Sequence, residues 1–335
     1  MTDHGQDSRS GPTPRHGLSR RRFLGTVGAG TAAAATATVL GAAAPASAAY
    51  FMKWGAVVSP ADTIPFDRKV GILRAIRPQT ARISMYWGDP NNRQFSNGQL
   101  DQLLGTGLTE MIIQSSEDPD PALAAQQLNQ LLPYIDAHPN ILFVFELGNE
   151  PDWHQPNNPG LARWNRLATI QRNKPAQDRG NLMWAINMPA GRWSGDGTGF
   201  TYGSSGAWFN TFVADAGDGL GALLTGPYRP DIATVHCYSS DYITPNSGLG
   251  ENNPYKMVDY VRGWNSSISM KVTEAGIDNP TGAITDRGYR YVQFGSSVAG
   301  NTAGQVDSVC FYGIPPADRN YGIYETEAAQ IGTHP

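Results

Sequence analysis

Apolar and β-branched residues gather along the chain into short runs, each followed by a polar or Gly/Pro break and then, in most cases, by residues at helical spacing. Eight such runs are predicted strands: Met52–Ser59, Thr80–Trp87, Thr109–Ser115, Ile141–Leu147, Leu182–Asn187, Ile232–Tyr238, Met270–Thr273 and Ser308–Tyr312. Predicted helices cover Pro65–Ile76, Gln99–Leu104, Ala122–Ala137, Leu161–Gln171, Pro254–Trp264 and Asp286–Val298, with a short last one at Thr326–Ile331. Runs such as Ile141-Leu142-Phe143-Val144-Phe145 are apolar on both faces, the pattern of a parallel sheet covered by helices. Eight βα units in roughly 250 to 290 residues predict a single α/β domain, a (β/α)8 TIM barrel. An open doubly wound sheet is the alternative that the same pattern allows. The Gly-rich connection over residues 194–230 is longer than most βα links.

The N-terminal segment breaks this rhythm. Ser19-Arg20-Arg21-Arg22-Phe23-Leu24 precedes a mildly apolar Ala/Gly/Thr/Val run that ends at Ala46-Ser47-Ala48, a small-x-small cleavage pattern. In that order the three parts resemble a bacterial twin-arginine (Tat) export signal, against the plainer reading of a basic tail beside an Ala-rich helix. The resemblance implies a removed signal over residues 1–48, a barrel over 49–335, and a secreted or extracytoplasmic protein folded before export. The whole chain has 335 residues and a net charge of −4. Removing 48 residues, among them five Arg and two Asp, leaves 287 residues with a net charge of −7.

An acidic chain lacks the basic footprint of a nucleic-acid partner. The Ala/Gly run of the N-terminal segment is too weakly hydrophobic for a transmembrane anchor, and no later run approaches the roughly 20 apolar residues needed to span a bilayer, so no membrane anchor is expected. Two cysteines exclude a disulfide scaffold and a four-thiolate zinc site, and Cys237 and Cys310, each inside an apolar run, read as buried thiols. No cofactor and no metal are expected: Asp152 and His154 stand near a glutamate, but without the spacing of a zinc motif. A monomer is expected.

In a barrel the chemistry belongs where the strands end and the βα loops converge. The second strand carries Arg82 and leads to Tyr86-Trp87, and the fourth ends Glu146-Leu147-Gly148-Asn149-Glu150-Pro151-Asp152-Trp153. Asn187 ends the fifth, His236-Cys237-Tyr238 the sixth, Thr273-Glu274 the seventh and Phe311-Tyr312 the eighth. Strands four and seven lie on opposite sides of an eight-stranded barrel, so Glu150 and Glu274 are expected to face each other across its mouth. Paired carboxyls are the equipment of a retaining glycosidase, one as nucleophile and one as acid then base. Glu146, four residues earlier, reads as a buried, hydrogen-bonded carboxyl behind them. Trp87, Trp153, Trp193, Tyr202, Trp208 and Tyr242 fall in or near predicted loops, where aromatic faces can stack on sugar rings.

Asn149-Glu150-Pro151 after an apolar strand, a Glu after Val272-Thr273, His236-x-Tyr238 on the strand before it and an Arg on strand two together resemble the catalytic pattern of glycoside hydrolase clan A. The resemblance implies Glu150 as acid/base, Glu274 as nucleophile, Asn149 on the sugar 2-hydroxyl, Arg82 and Tyr238 on the nucleophile, and His236 near the acid/base. Trp87, Trp153, Asn187 and Tyr312 complete the expected substrate-binding set. Where many clan members place a Trp at the end of strand eight, this chain has Phe311-Tyr312, and either ring can supply the stacking face. The stretch Phe145–Asp152 is similar to the acid/base region of the heparanase and β-glucuronidase group, while the compact length is closer to cellulases, mannanases and β-1,3-glucanases. The implied partner is an oligo- or polysaccharide with a β-linkage. A carbohydrate-binding barrel without turnover and a transglycosylase are the competing readings.

Overall fold

In a computed structural model of the protein, which describes residues 52–60, 64–86, 91–116, 120–150, 159–188, 229–239, 266–277, 284–314 and 322–334, eight strands close into a barrel. They are β1 (Lys53–Val58), β2 (Thr80–Ser84), β3 (Glu110–Gln114), β4 (Leu142–Leu147), β5 (Leu182–Asn187), β6 (Ile232–Ser239), β7 (Ser269–Ile277) and β8 (Val306–Ile314). Every neighbouring pair is parallel, and β8 returns to pair with β1, which rules out the open sheet. The described helices are α1 (Phe66–Ala75), α2 (Asn97–Leu104), α3 (Pro121–Ala137), α4 (Pro159–Gln177), α5 (Arg287–Asn301) and α6 (Glu325–Ile331). The predicted helix over Pro254–Trp264, the connection over residues 194–228 and the N-terminal segment lie outside the described residues.

Helix starts follow local chemistry. Asp120 accepts from the Ala122 and Leu123 N–H groups with Pro121 at the first helical position, and Ser96 and Gln99 form a reciprocal capping box on α2. Helix α4 runs six residues past its predicted end at Gln171. The amide of Gln177 donates to the Ala125 carbonyl and to Asn129 on α3, so tertiary anchoring holds a last turn that contains Pro175. Among the described residues no helix is long and apolar enough to cross a membrane.

Strand parity sorts the barrel wall into two faces. One set, including Trp54, Ile83, Phe143, Trp184, Cys237 and Phe311, packs into the main core between wall and helices. The other fills the barrel itself: Val57, Ile112, Val144, Ala185, Ile232 and Cys310 form a separate apolar cluster. Cys237 and Cys310 are both free and buried, on opposite faces of the wall. Gly55 is required where β1 meets β2, since a Cβ there would lie 1.7 Å from the Thr80 carbonyl oxygen.

The apolar cluster is a thin belt, because the barrel is polar at both ends. Toward the start of the strands Glu110 is fully buried and accepts from Lys53 at 2.6 Å, Lys271 at 2.9 Å and Thr80 at 3.0 Å. Lys271 is buried as well and bonds Asp307 at 2.5 Å. This cluster ties β1, β2, β3, β7 and the start of β8 together. Burial alone would raise the Glu110 pKa, but the charges of Lys271 and Lys53 outweigh it and bring the carboxyl down to about 2. Burial likewise works against the Lys271 ammonium, and Asp307 and Glu110 reverse it, raising its pKa.

Candidate active site

At the other end, where the strands finish, Arg82, Glu146, Glu150, Asn187, Thr234, His236, Thr273 and Glu274 converge. Arg82 is fully buried and distributes its guanidinium among three acceptors. Nε donates to Glu146 at 2.6 Å, one terminal nitrogen to Glu274, and the other to the Asn149 side-chain oxygen at 2.9 Å.

Glu274 reaches this cluster through an irregularity in β7. The register against β6 shifts between Val235 and His236, so that Val235 faces Val272 while His236 faces Glu274. One extra residue is accommodated, as in a β-bulge, and two consecutive side chains turn inward. Thr273 donates to Glu146 at 2.8 Å, and Glu274 meets Arg82 and lies 3.5 Å from His236 Nδ1. A regular strand would send one of the two outward. Past the shift the ladder with β6 resumes, Glu274–Ile277 facing His236–Ser239, so β7 continues to Ile277, beyond the predicted end at Thr273.

Glu150 sits just past β4, in the left-handed region at φ 30, after Gly148 at φ 73. A non-glycine residue holds such a conformation only when its surroundings fix it. Here the Glu150 N–H donates to Asn187 Oδ1 at 2.7 Å, and its carboxylate pairs with His236 Nδ1 at 2.7 Å. His236 is buried, and its Nε2 lies 3.1 Å from Asn187 Nδ2. Burial lowers the imidazole pKa, but the charges of Glu274 and Glu150 outweigh it, so the net direction is upward.

Beneath these groups lies Glu146, fully buried, accepting from Arg82, Thr234, Thr273 and Asn187. Burial pushes its pKa up, and Arg82, His236 and the hydrogen bonds from Thr234 and Arg82 reverse that, leaving it below the usual range. Glu146 is thus a satisfied carboxylate behind the site, as its place in β4 suggests. The roles of Thr234 and Thr273 were not anticipated. The available signal was parity: Thr234 lies two residues before His236, on the same face of β6.

Arg82, Asn149, Glu150, Asn187, His236 and Glu274 are therefore brought together. Asn187 is buried, and its amide is taken up by Glu150, His236 and Thr234 rather than presented to the cavity. On β8 the two rings separate: Phe311 is buried in the outer core against Trp54 and Tyr291, while Tyr312 packs on the inner apolar cluster and stays partly exposed. Tyr312 is the ring that faces the barrel interior. Trp87, Trp153 and the Tyr238 side chain lie outside the described residues, as do Trp193, Tyr202, Trp208 and Tyr242.

Glu150, His236 and Glu274 each bring one donor atom within 4.8 Å of the others, the one such group of possible metal ligands among the described residues. Arg82 already supplies positive charge there, and a cation entering the cluster would compete with its guanidinium for Glu274.

Fold and site together define a (β/α)8 barrel with a carboxylate pair at the C-terminal ends of its strands. No protein-family model matches the chain, and no curated protein matches it. Solved structures do. The chain is similar to a glucosidase from Croceicoccus marinus at 13% identity and TM-score 0.54, covering 84% of this chain and 67% of that one. It is also similar to the catalytic domain of a mannanase from Streptomyces sp. SirexAA-E, at 14% identity and TM-score 0.53 over 82% and 78% of the two chains. A double mutant of the β-glucosidase from Trichoderma harzianum matches at 11% identity and TM-score 0.52 over 81% and 91%. At these identities the likeness is one of fold.

Proposed function

We propose that the protein is a retaining glycoside hydrolase that cleaves a β-linked glycan. The observation that carries this reading is the pair Glu150 and Glu274, with carboxylate oxygens within 4.8 Å and unlike surroundings. Glu274 is nearly buried and bonded to a cation, while the Glu150 side chain is 21% exposed and meets an imidazole. Two carboxyls in different environments can divide the work, one staying ionised as the other carries the proton.

In the first step a Glu274 oxygen attacks the anomeric carbon, the glycosidic C–O bond breaks, and Glu150 gives its proton to the leaving oxygen. In the second, Glu150 takes a proton from water as that water attacks the anomeric carbon and releases Glu274. Arg82 compensates the charge of Glu274 and fixes Asn149, which serves the sugar 2-hydroxyl. His236 orients Glu150, and Tyr312 offers a ring face to the sugar. Trp87, Trp153 and Tyr238 belong to the same proposal as substrate contacts. Export through residues 1–48 as a twin-arginine signal is its second element, supported by the order of basic cluster, apolar run and cleavage pattern.

The test is a reducing-end screen over β-glucans, mannans, xylans, uronides and arabinans, with Glu150→Gln and Glu274→Gln as controls. New reducing ends from the parent, their loss in both variants, and retention at the first-formed anomer by NMR are expected. Near parental turnover by the Glu274→Gln protein would sink the assignment.

A further inference from the structure

We propose that Asn187 is a positioning residue that holds His236 in its Nδ1–H tautomer, and so keeps the proton of the acid on Glu150 rather than on the imidazole. This rests on the glycosidase reading for its consequence, though not for its geometry.

The orientation of an Asn amide follows from its partners. The Glu150 backbone N–H can only donate, and it lies 2.7 Å from Asn187, so the atom facing it is the amide oxygen. The NH2 group must then face the other way, toward Thr234 Oγ1 at 3.1 Å, His236 Nε2 at 3.1 Å and Glu146 Oε1 at 3.4 Å. A flip would set an oxygen against the Glu146 carboxylate and a donor against a donor, so the amide is locked from both ends. A nitrogen that faces an N–H donor is held as an acceptor. The neutral imidazole accordingly carries its hydrogen on Nδ1, which donates to Glu150 Oε1 at 2.7 Å. The acid proton of Glu150 is left to its other oxygen, Oε2.

The reverse tautomer would invert this. With hydrogen on Nε2, Nδ1 would accept from Glu150, and the proton meant for the leaving group could pass to the ring, giving an imidazolium and a carboxylate. The charges facing His236 favour that transfer from the carboxylates of Glu150 after β4 and Glu274 on β7, and oppose it from Arg82 on β2. Glu146 on β4 adds a further negative charge nearby, itself lowered in pKa partly by His236. Against the two glutamates, the Asn187 donor adds a specific obstacle to a proton on Nε2. The same amide also holds Glu150 at its positive φ, so one side chain sets both where the acid stands and what it carries.

The test reads the ring directly. Imidazole 15N chemical shifts of His236, assigned by loss of the signal in His236→Gln, are followed from acidic to alkaline pH in the parent, in Asn187→Asp and in Asn187→Ser. The expected parent signature is a neutral ring protonated on Nδ1 and bare on Nε2. Asn187→Asp replaces the donor by an acceptor, and is expected to keep both nitrogens protonated to higher pH. Asn187→Ser removes the donor and should yield a tautomer mixture, which preserves the test if the Asp protein does not fold. A parent ring with its neutral hydrogen on Nε2, or variants with the parent's tautomer and titration, overturns the proposal.

A kinetic arm uses phenyl and 2,4-dinitrophenyl β-glycosides of the sugar that the parent releases in the reducing-end screen. Asn187→Asp is expected to lose about 100-fold or more on the phenyl substrate, whose leaving group needs the proton, and far less on the dinitrophenyl one. Equal losses on both indicate a merely structural role and count against the proposal. A parent that shows the expected ring signature yet cleaves no glycan supports the tautomer assignment and overturns the glycosidase reading instead.

Discussion

Arg82 and Glu274 lie 192 residues apart in sequence and meet in a buried ion pair at the mouth of the barrel. The same guanidinium holds Glu146 and Asn149. A planar fork can serve three acceptors at once, and an ammonium on a flexible stem cannot reproduce that geometry. Arg82→Lys is therefore expected to lower kcat/KM by about 100-fold or more, the scale of one lost electrostatic contact in a preorganised site. It should also destabilise the fold by about 3–5 kcal/mol, since Glu146 is left partly uncompensated. Steady-state kinetics and urea unfolding check the two effects separately.

At the opposite rim the expectation concerns acid. The Glu110 carboxyl is brought down to about 2 by Lys271 and Lys53, below its unfolded value of roughly 4.3. Its contribution to stability is complete above the unfolded value and is lost as pH falls toward 2. Unfolding free energies measured down a pH series should drop through that window, and Glu110→Gln should flatten the drop while lowering stability at neutral pH. An unchanged acid limb in the variant would show that Glu110 does not set it.

Both thiols should be silent in the native state. Burial pushes Cys310 up to about 12 and raises Cys237 as well. A thiol reagent such as DTNB is expected to find no reactive group in native protein and two after denaturation, with no change on adding reductant. Fast labelling of native protein would contradict the buried assignment.

Trp184 is fully buried, yet its indole N–H has no hydrogen-bond partner among the described residues. Trp184→Phe removes that unsatisfied donor along with part of the ring, and the two effects oppose each other, so stability should change by about 1 kcal/mol or less. Trp184→Ala has no such compensation and should cost about 3–5 kcal/mol. Thermal unfolding of the pair distinguishes a packing role from a hydrogen-bonding one.

Much of this architecture was legible in the chain, because strands buried on both faces announce themselves as unbroken apolar runs. Leu182–Asn187 matches its predicted span, and Glu150 stands just past the end of β4 as expected, whereas Glu274 lies inside β7, three residues before its end at Ile277. The bulge in β7 was not legible, since alternation assumes that neighbours point opposite ways and Thr273 and Glu274 do not. Nor was the pairing of Lys271 with Glu110, which are 161 residues apart. A charged residue in a strand reads as facing solvent until its partner across the barrel is known. Asn187 shows a third limit: an Asn ending a strand announces a polar group near the site, but not that its partners are a backbone N–H and an imidazole.

The apolar belt of Ile112, Val144, Ala185 and Ile232 has a consequence for how this protein tolerates change. It acts as hydrocarbon insulation between two charged compartments, one that clamps the staves and one arranged around the carboxylate pair. Substitutions confined to different compartments share no partners, so the stability effects of Glu110→Gln and Asn187→Ser should add. A lineage carrying such a barrel can revise the chemistry at one rim without renegotiating the ionic fastening at the other.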